Sequence, residues 1–183
     1  MIDGWIQTFT GRKFFPLAAR VEDVDVRDIA HALSLKCRFG GHCGTFYSVA
    51  EHSVRVSWEM EQRGRREAMW GLMHDAAEAY LADIGGPIKK HFYVHDGGGV
   101  ETFELAEERL LGVIAQALGF ERIQYAVVRE ADAVLLVTEA RDLLGPPPEN
   151  WEMPQVPLEG RIEPWGPAEA EKAFLQRFEE LRG

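Results

Sequence analysis

The chain has 183 residues, of which 46% are hydrophobic and 27% charged, so it can bury the core of one ordinary domain. These proportions exclude a disordered tail, a fibrous repeat and a small scaffold held together by disulfides. The formal net charge of −10 argues against a nucleic acid polymer as a partner, because affinity for a polyanion depends on a basic surface.

The sequence shows no signal of a membrane or secreted protein. No apolar run approaches the roughly 18 residues needed to cross a bilayer. The first residues contain no basic region followed by an apolar stretch. Cys37 and Cys43 are too few for a disulfide framework, and with His42 they match no structural zinc pattern, so we expect thiols packed in the core. A reducing cytoplasm is the expected compartment, and no membrane partner is expected.

The N-terminal half is predicted to contain a hairpin and three helices. A short β-hairpin over 5–17 turns at Thr10-Gly11-Arg12. The predicted helices cover 25–36, 48 to about 62, and 66 to 79 or 81. Ser48 and Glu51 form a capping-box pattern, in which Ser48 caps an amide and Glu51 reaches back. Gly85-Gly86-Pro87 is expected to end the third helix.

The C-terminal half is predicted to be helical apart from two glycine- and proline-rich segments. The glycines at 97–99 form a loop tip before a helix over 101–118, and the next helix covers 124–144. Most of the prolines lie between 145 and 167, an ordered loop or arm, and a last helix covers 168–182. We therefore predict a mainly α fold with a small N-terminal β-hairpin. Its main domain covers 1–145, and an arm and helix over 146–183 pack on the same domain.

Several polar residues stand where helices should bury apolar ones. His74 and Asp75 lie among apolar neighbours, where polar groups are costly to leave unpaired. Glu78 follows His74 by four residues, which would place both on one helical face. His52 lies on the preceding helix, and Asp132 is a carboxylate amid apolar residues of a later one. Imidazole and carboxylate suit divalent cations, so the pattern indicates a metal site.

Each of these residues also has a purely structural interpretation. A lone histidine on a helix is more often exposed or hydrogen-bonded than bound to a metal, and Asp132 could cap an amide or pair with Arg129. The presence of four such residues on helices of one small core favours the metal site. A second pair, His95-Asp96, precedes three glycines in a predicted loop, so we expect it to be exposed and not to bind the metal.

Three stretches together carry a resemblance to a known family. They cover 28–34, 46–54 and 72–84, with His52, His74-Asp75 and Asp132 in order along the chain. Through these stretches and this order of residues, the chain resembles the HD (histidine–aspartate) phosphohydrolase superfamily. The resemblance is closest to its small bacterial and phage 5′-deoxynucleotidases and deoxynucleoside-triphosphate hydrolases, and it extends from the hairpin to about Leu144. It implies a helical bundle in the cytoplasm of a bacterium or of a phage-infected host.

The resemblance implies a set of metal and catalytic residues. His52, His74, Asp75 and Asp132 would be the ligands of one divalent ion, which could be Co, Mn, Zn, Fe, Ni or Mg. Glu78 matches the acid/base glutamate of the family. Asp83 matches a second carboxylate that helps to hold the water.

The resemblance also implies three substrate-binding residues. Arg38 stands fourteen residues before His52, where the nucleotidases place an arginine that contacts phosphate. Phe39 stands where they have tryptophan, a departure that leaves base and sugar selectivity open. Lys89 matches a Pro-x-Lys pattern and would contact phosphate, although a solvated residue beside Lys90 fits the sequence equally well.

The expected activity is hydrolysis of a deoxynucleotide to the deoxynucleoside and phosphate. A dATP or dNTP triphosphohydrolase would share the same metal site, and a nucleotide sensor that has lost catalysis is an alternative from another class. A small-molecule nucleotide is thus the expected partner. A homo-oligomer is also expected. Trp151 and Trp165 in the arm could pack on a neighbouring copy or on their own chain.

Overall fold

A computed structural model of the protein describes residues 4–95, 98–123 and 125–183. Within these ranges the chain forms seven helices, and the fold is mainly α as predicted. The helices are α1 (Val26–Leu35), α2 (Val49–Glu59), α3 (Arg65–Met73), α4 (Gly86–Lys89), α5 (Phe103–Leu118), α6 (Tyr125–Leu143) and α7 (Pro167–Arg182). The strands are β1 (Ile6–Gln7), β2 (Lys13–Phe14), β3 (Tyr93–His95) and β4 (Val100–Thr102). Asp96, predicted to be exposed in a loop, lies outside the described residues.

The predicted N-terminal hairpin is confirmed. Strands β1 and β2 pair antiparallel, with Ile6 opposite Phe14. The hairpin is attached to α1 through Asp28, whose carboxylate accepts hydrogen bonds from the Thr10 amide at 2.7 Å and the Thr10 hydroxyl at 2.9 Å. Phe14 is fully buried and stacks on Tyr80, with ring centroids 3.9 Å apart. The hairpin therefore covers one side of the helical core.

Helix α2 begins at the predicted cap, but only half of the capping box forms. The Ser48 hydroxyl accepts a hydrogen bond from the Glu51 amide at 3.1 Å. The Glu51 carboxylate does not reach back to Ser48, because it accepts hydrogen bonds from Arg55 one turn further on and from the Trp165 amide. The reciprocal bond was predicted wrongly, since Glu51 instead fastens the C-terminal arm to α2.

The third predicted helix breaks at the two residues proposed to bind metal. Helix α3 ends at Met73, Asp75 adopts φ −99° and ψ 10°, and 76–79 form a 3₁₀ turn. The predicted continuous helix to 79 or 81 is therefore wrong. Pro87 is in the first turn of the short helix α4. The segment Gly85-Gly86-Pro87 therefore begins a helix, whereas the sequence predicted only that it ends the third helix.

A second hairpin, not predicted from the sequence, precedes α5. Strands β3 and β4 pair antiparallel, with Tyr93 opposite Thr102. The Thr102 hydroxyl then accepts a hydrogen bond from the Leu105 amide and caps α5. The same helix ends as predicted at Gly119, whose φ of +72° is the left-handed conformation that glycine adopts without strain.

The C-terminal segment packs against the rest of the chain. Helix α7 contacts α1, α2 and α3 and buries Phe174 and Phe178. Trp165 lies edge-on to Trp58 with ring centroids 5.7 Å apart, so this tryptophan packs on its own chain, whereas Trp151 is 44% exposed. Among the described residues, no helix is both long and apolar enough to cross a membrane.

Candidate metal centre

Two imidazoles and one carboxylate converge where α2 meets the end of α3. His52 on α2 is fully buried, and His74 follows the last residue of α3. Asp75 Oδ2 lies 3.3 Å from His74 Nε2 and 3.7 Å from His52 Nε2. One ligand atom from each of the three residues lies within 4.8 Å of the other two. This group could hold a metal ion.

Both imidazoles are held by the nitrogen that faces away from this group. His52 Nδ1 lies 2.6 Å from Glu139 Oε1, and His74 Nδ1 donates to the Gly71 carbonyl at 2.8 Å. Their Nε2 atoms are buried and have no hydrogen-bond partner among the described residues. Metal-binding histidines have this arrangement, in which the second nitrogen fixes the tautomer and the ring orientation. The donor set therefore fits a divalent cation.

Asp132 approaches the same group from α6. Its Oδ1 lies 3.2 Å from His52 Nε2, although outside hydrogen-bond geometry. Burial raises the pKa of Asp132, but His52, His74 and Arg38 outweigh it and hold that pKa well below its usual range. The three-residue cluster above does not include Asp132. The structure thus brings all four predicted ligands to one place, with Asp132 against His52.

The charge balance at His52 depends on its neighbours. Burial and the Arg38 cation lower the pKa of His52, but Glu139 and Asp132 outweigh them and raise it to about 9. The carboxylates of Glu139 and Asp132 therefore favour a positive charge at this position. The preference for positive charge at this position is what a divalent metal would satisfy.

Sequence reasoning missed Glu139, which contacts His52 at the ring nitrogen that faces away from the other proposed ligands. This fully buried carboxylate on α6 accepts a hydrogen bond from the Tyr47 hydroxyl at 2.9 Å and lies against His52. Burial raises the pKa of Glu139, but Arg38 and His52 lower it by more. The pKa therefore lies below its ordinary value, and the carboxylate is ionised. Glu139 follows Asp132 by seven residues, two helical turns, and that spacing is the signal that could have identified it.

Arg38 is held between two carboxylates. Its Nε donates to Glu139 Oε2 at 3.1 Å, and its Nη1 lies 3.7 Å from Asp75 Oδ2. Phe39 has φ +56°, an uncommon left-handed conformation for a residue with a side chain, and the Arg38 guanidinium lies 5.6 Å from its ring centroid. Arg38 therefore precedes a tight turn and lies against one of the proposed metal ligands, Asp75.

Glu78 lies close to the cluster, on the 3₁₀ turn that replaces the end of the predicted helix. Burial, together with Asp75 and Asp83, raises the pKa of Glu78 well above its ordinary value. The Lys36 ammonium donates to the Glu78 carbonyl at 2.6 Å and fixes the backbone of this turn. Asp83 is half-buried, and burial also raises its pKa.

Lys89 lies at the edge of the same site and is paired with carboxylates. Its Nζ is 2.9 Å from Glu107 and 3.6 Å from Glu78, and 21% of its side chain is exposed. It lines a cavity of about 570 Å³ that opens beside the metal ligands. The cavity is lined by Trp70, His74, Asp75, Ala77, Glu78, Lys89, Glu104, Glu107, Glu108, Leu111, Arg122 and Ile123.

The two cysteines flank the turn that carries Arg38. Both are half-buried, and their Sγ atoms lie 3.4 Å apart. The expectation of core-packing thiols is therefore wrong, because neither cysteine is among the buried residues of the core. His42, between them, is exposed.

Comparison with known proteins identifies relatives. No model of a known protein family matches the chain. The chain is 35% identical over 184 residues to the uncharacterized protein YfdR of Escherichia coli (strain K12), and the match covers 97% of this chain and 95% of that protein. It is 31% identical over 152 residues to an uncharacterized protein of Rhodobacter capsulatus, with 77% of this chain and 74% of that protein covered.

Proposed function

The chain belongs to the same family as YfdR of Escherichia coli, and we propose that it is a metal-dependent phosphohydrolase of the HD type. The proposed reaction converts a deoxynucleoside 5′-monophosphate into the deoxynucleoside and phosphate. The observation that carries the proposal is the pair of buried Nε2 atoms of His52 and His74. They have no hydrogen-bond partner among the described residues and lie within 4 Å of Asp75 Oδ2.

The proposed ligands are His52, His74, Asp75 and Asp132. Two imidazoles and two carboxylates accept several divalent metals, so this donor set leaves the identity of the metal open. A divalent cation in this position supplies Lewis-acid polarisation of the phosphate and a lowered pKa for water. The remaining steps depend on side chains that surround the ligands.

Arg38 is the residue proposed to bind the phosphate. Its guanidinium is already oriented by Glu139 and lies 3.7 Å from Asp75, so its position requires little further ordering when a substrate binds. Guanidinium groups suit phosphate because they offer parallel N–H donors. Arg38 would neutralise the charge that develops on the phosphoryl oxygens.

Glu78 is the proposed proton donor to the leaving alkoxide. Burial and the neighbouring carboxylates favour its protonated form, which is the state that a general acid needs. Lys36, through the Glu78 carbonyl, holds the turn in place. Asp83 favours the same protonated form of Glu78 and would help to hold the attacking water.

Basic side chains near the site pair with carboxylates, and this pairing favours a monophosphate over a triphosphate as the substrate. Three basic side chains of the described part of the site lie against carboxylates: Arg38 against Glu139, Lys89 against Glu107, and Arg122 against Glu108. A triphosphate tail would need several positive groups free of such partners. A single phosphate requires fewer cations than a triphosphate, and the metal together with Arg38, which is itself shared with Glu139, would meet that smaller requirement.

The direct test is phosphate release by purified protein. The protein is stripped with a chelator, reloaded separately with Mn²⁺, Co²⁺ or Mg²⁺, and incubated with the four deoxynucleoside monophosphates and the four triphosphates. We expect metal-dependent release of inorganic phosphate from the monophosphates. Release of triphosphate from dNTPs with no action on dNMPs would contradict the proposed substrate, and nucleotide binding without product from either set would contradict catalysis.

A further inference from the structure

The two cysteines meet across the turn that carries Arg38. Cys37 Sγ and Cys43 Sγ lie 3.4 Å apart, and the Cys43 thiol donates to the Arg38 carbonyl oxygen at 3.7 Å. Neither the metal centre nor the proposed reaction uses these thiols. The chain contains only two cysteines, so each is the other's one possible partner for a disulfide within the chain.

The shape of the turn brings the two sulfurs together. Phe39, Gly40 and Gly41 have φ of +56°, +58° and +81°, and this run of left-handed residues reverses the chain so that Cys43 returns beside Cys37. Glycine adopts such values freely, but Phe39 adopts them at a cost in free energy, so the surrounding structure has to hold the turn. A covalent link between the ends of such a turn would stabilise it.

The backbone on each side of the turn is held by hydrogen bonds. The Arg38 amide donates to the Tyr47 carbonyl at 2.9 Å, and the Gly44 amide donates to the Leu143 carbonyl at 2.8 Å. The sulfurs have to approach by about 1.4 Å to reach the usual disulfide bond length of about 2.0 Å. Rotation about the Cα–Cβ bonds can supply this movement while both backbone anchors stay in place.

Small oxidants have access to this part of the surface. Both cysteines are half-buried, and Gly40, Gly41 and His42 between them are exposed. Burial and the hydrogen bond with Cys37 raise the pKa of Cys43, so little of this thiol is ionised at neutral pH. Because the thiolate is the reactive form, mildly alkaline solution should speed up the oxidation.

We propose that Cys37 and Cys43 form a reversible disulfide that closes the turn carrying Arg38. The oxidant is a low-molecular-weight disulfide of the glutathione type. One cysteine thiolate attacks this disulfide and displaces one small thiolate, and the second cysteine then attacks the sulfur of the first and displaces the other. Two protein thiols are thus oxidised to one disulfide, and the small disulfide is reduced to two thiols.

The first measurement follows the thiols and the mass of the full-length protein. Reduced protein is incubated at pH 8 with glutathione mixtures of increasing oxidised fraction, and free thiols are then trapped with an alkylating agent. We expect mass spectrometry to show a single chain that is two hydrogen atoms lighter and resists alkylation. Dithiothreitol should restore both thiols.

The second measurement follows the turn itself. Hydrogen exchange of the amides over 38–44 should slow several-fold on oxidation, because the disulfide limits local opening of the segment that it closes. The melting temperature should rise by about 5–10 °C, as expected for a short closed loop in a chain of this size.

Cys43→Ser is the matched control for both measurements. It keeps the size of the side chain, but its remaining thiol can form only a mixed disulfide with glutathione or a link between two chains. We therefore expect no lighter species, no slower exchange over 38–44 and no rise in melting temperature when this variant is treated in the same way.

Other products of the oxidation would contradict the inference. Two alkylatable thiols in every glutathione mixture, a stable mixed disulfide with glutathione, or cross-linked chains would each overturn it. An internal disulfide that leaves hydrogen exchange over 38–44 unchanged would overturn the closing of the turn. These measurements use neither a nucleotide nor a metal, so the phosphate-release experiment tests the proposed function separately.

Discussion

Glu139 Oε1 lies 2.6 Å from His52 Nδ1, so a buried carboxylate on α6 orients an imidazole on α2. The same carboxylate accepts hydrogen bonds from Arg38 and Tyr47. One side chain thus positions both a proposed metal ligand and the proposed phosphate ligand. We therefore expect Glu139 to act on the proposed site through these two neighbours.

Replacement of Glu139 by glutamine should weaken metal binding. The amide keeps the shape of the side chain but loses the charge that favours a cation at His52, and changes to such supporting partners typically cost about 10–100-fold in metal affinity. The measurement is titration of Mn²⁺ into the metal-free variant. Glu130→Gln, on the same helix and paired with Arg63, serves as the control. Equal Mn²⁺ affinity in Glu139→Gln and the wild type would contradict the role assigned to Glu139.

The proposed ligands themselves should be indispensable for turnover. We expect Asp75→Asn and His74→Ala to lose more activity than the roughly 100-fold typical of a supporting residue, while the fold is retained. Phosphate release is measured together with circular dichroism. His91→Ala, which alters an exposed histidine near α4, is the matched control. Normal turnover in either ligand variant would remove the metal assignment.

Gly71 lies where α3 packs closely against α2, the helix that carries His52. A Cβ at this position would lie 3.0 Å from Met60 Sδ and 3.1 Å from both Ser57 Cα and the Val56 carbonyl oxygen. Because two of these atoms belong to the α2 backbone, they cannot move aside cheaply. We expect Gly71→Ala to destabilise the protein by about 1–3 kcal/mol, measured by urea unfolding.

Gly112 provides the comparison for Gly71. It lies within α5, and an added Cβ would meet only Arg122 Nη1, the end of a flexible side chain, at 3.4 Å. Gly112→Ala should therefore stabilise the protein by about 0.5–1 kcal/mol through helix propensity. Equal effects at the two positions would show that helix propensity, and not the close approach of α2 and α3, decides the result at Gly71.

The sequence predicted the helices better than it predicted their ends around the site. The period of apolar residues placed α1 and α5 within a few residues, because burial of one face determines that period, and Pro167 placed the start of α7. The break after Met73 could not be predicted in this way. The apolar pattern continues through 76–79, so no local signal marks Asp75 as the break, and the 76–79 turn packs against the distant helices α1 and α5.

The residues of the candidate site divide in the same way: some can be identified from their local sequence context, and one depends on contacts between distant parts of the chain. His52, His74, Asp75 and Asp132 could be chosen because each is a polar residue in an apolar helical context. Glu139 is such a residue too, but its importance depends on contacts with residues 87 and 101 positions away along the chain. Local sequence patterns do not contain contacts of that kind.

The attachment of the arm to α6 should depend on pH through Asp142. Its carboxylate accepts hydrogen bonds from Arg141, from the Ile162 amide at 2.9 Å and from Arg161 at 2.9 Å. The hydrogen bonds with Arg141 contribute most to lowering the pKa of Asp142 to about 2. Since folding lowers this pKa, the carboxylate stabilises the fold fully above about pH 4, and the stabilisation is lost as the pH falls through about 2.

Replacement of Asp142 by asparagine should therefore have an effect that disappears in acid. We expect the variant to be about 1 kcal/mol less stable than the wild type at pH 7, a discounted value because solvent screens ion pairs near the surface. The difference should narrow between pH 4 and pH 2, as measured by urea unfolding at each pH. Glu149→Gln, an exposed residue of the same arm, should show no such difference. A constant deficit of Asp142→Asn at every pH would mean that shape and hydrogen bonding, and not the charge of Asp142, hold the arm.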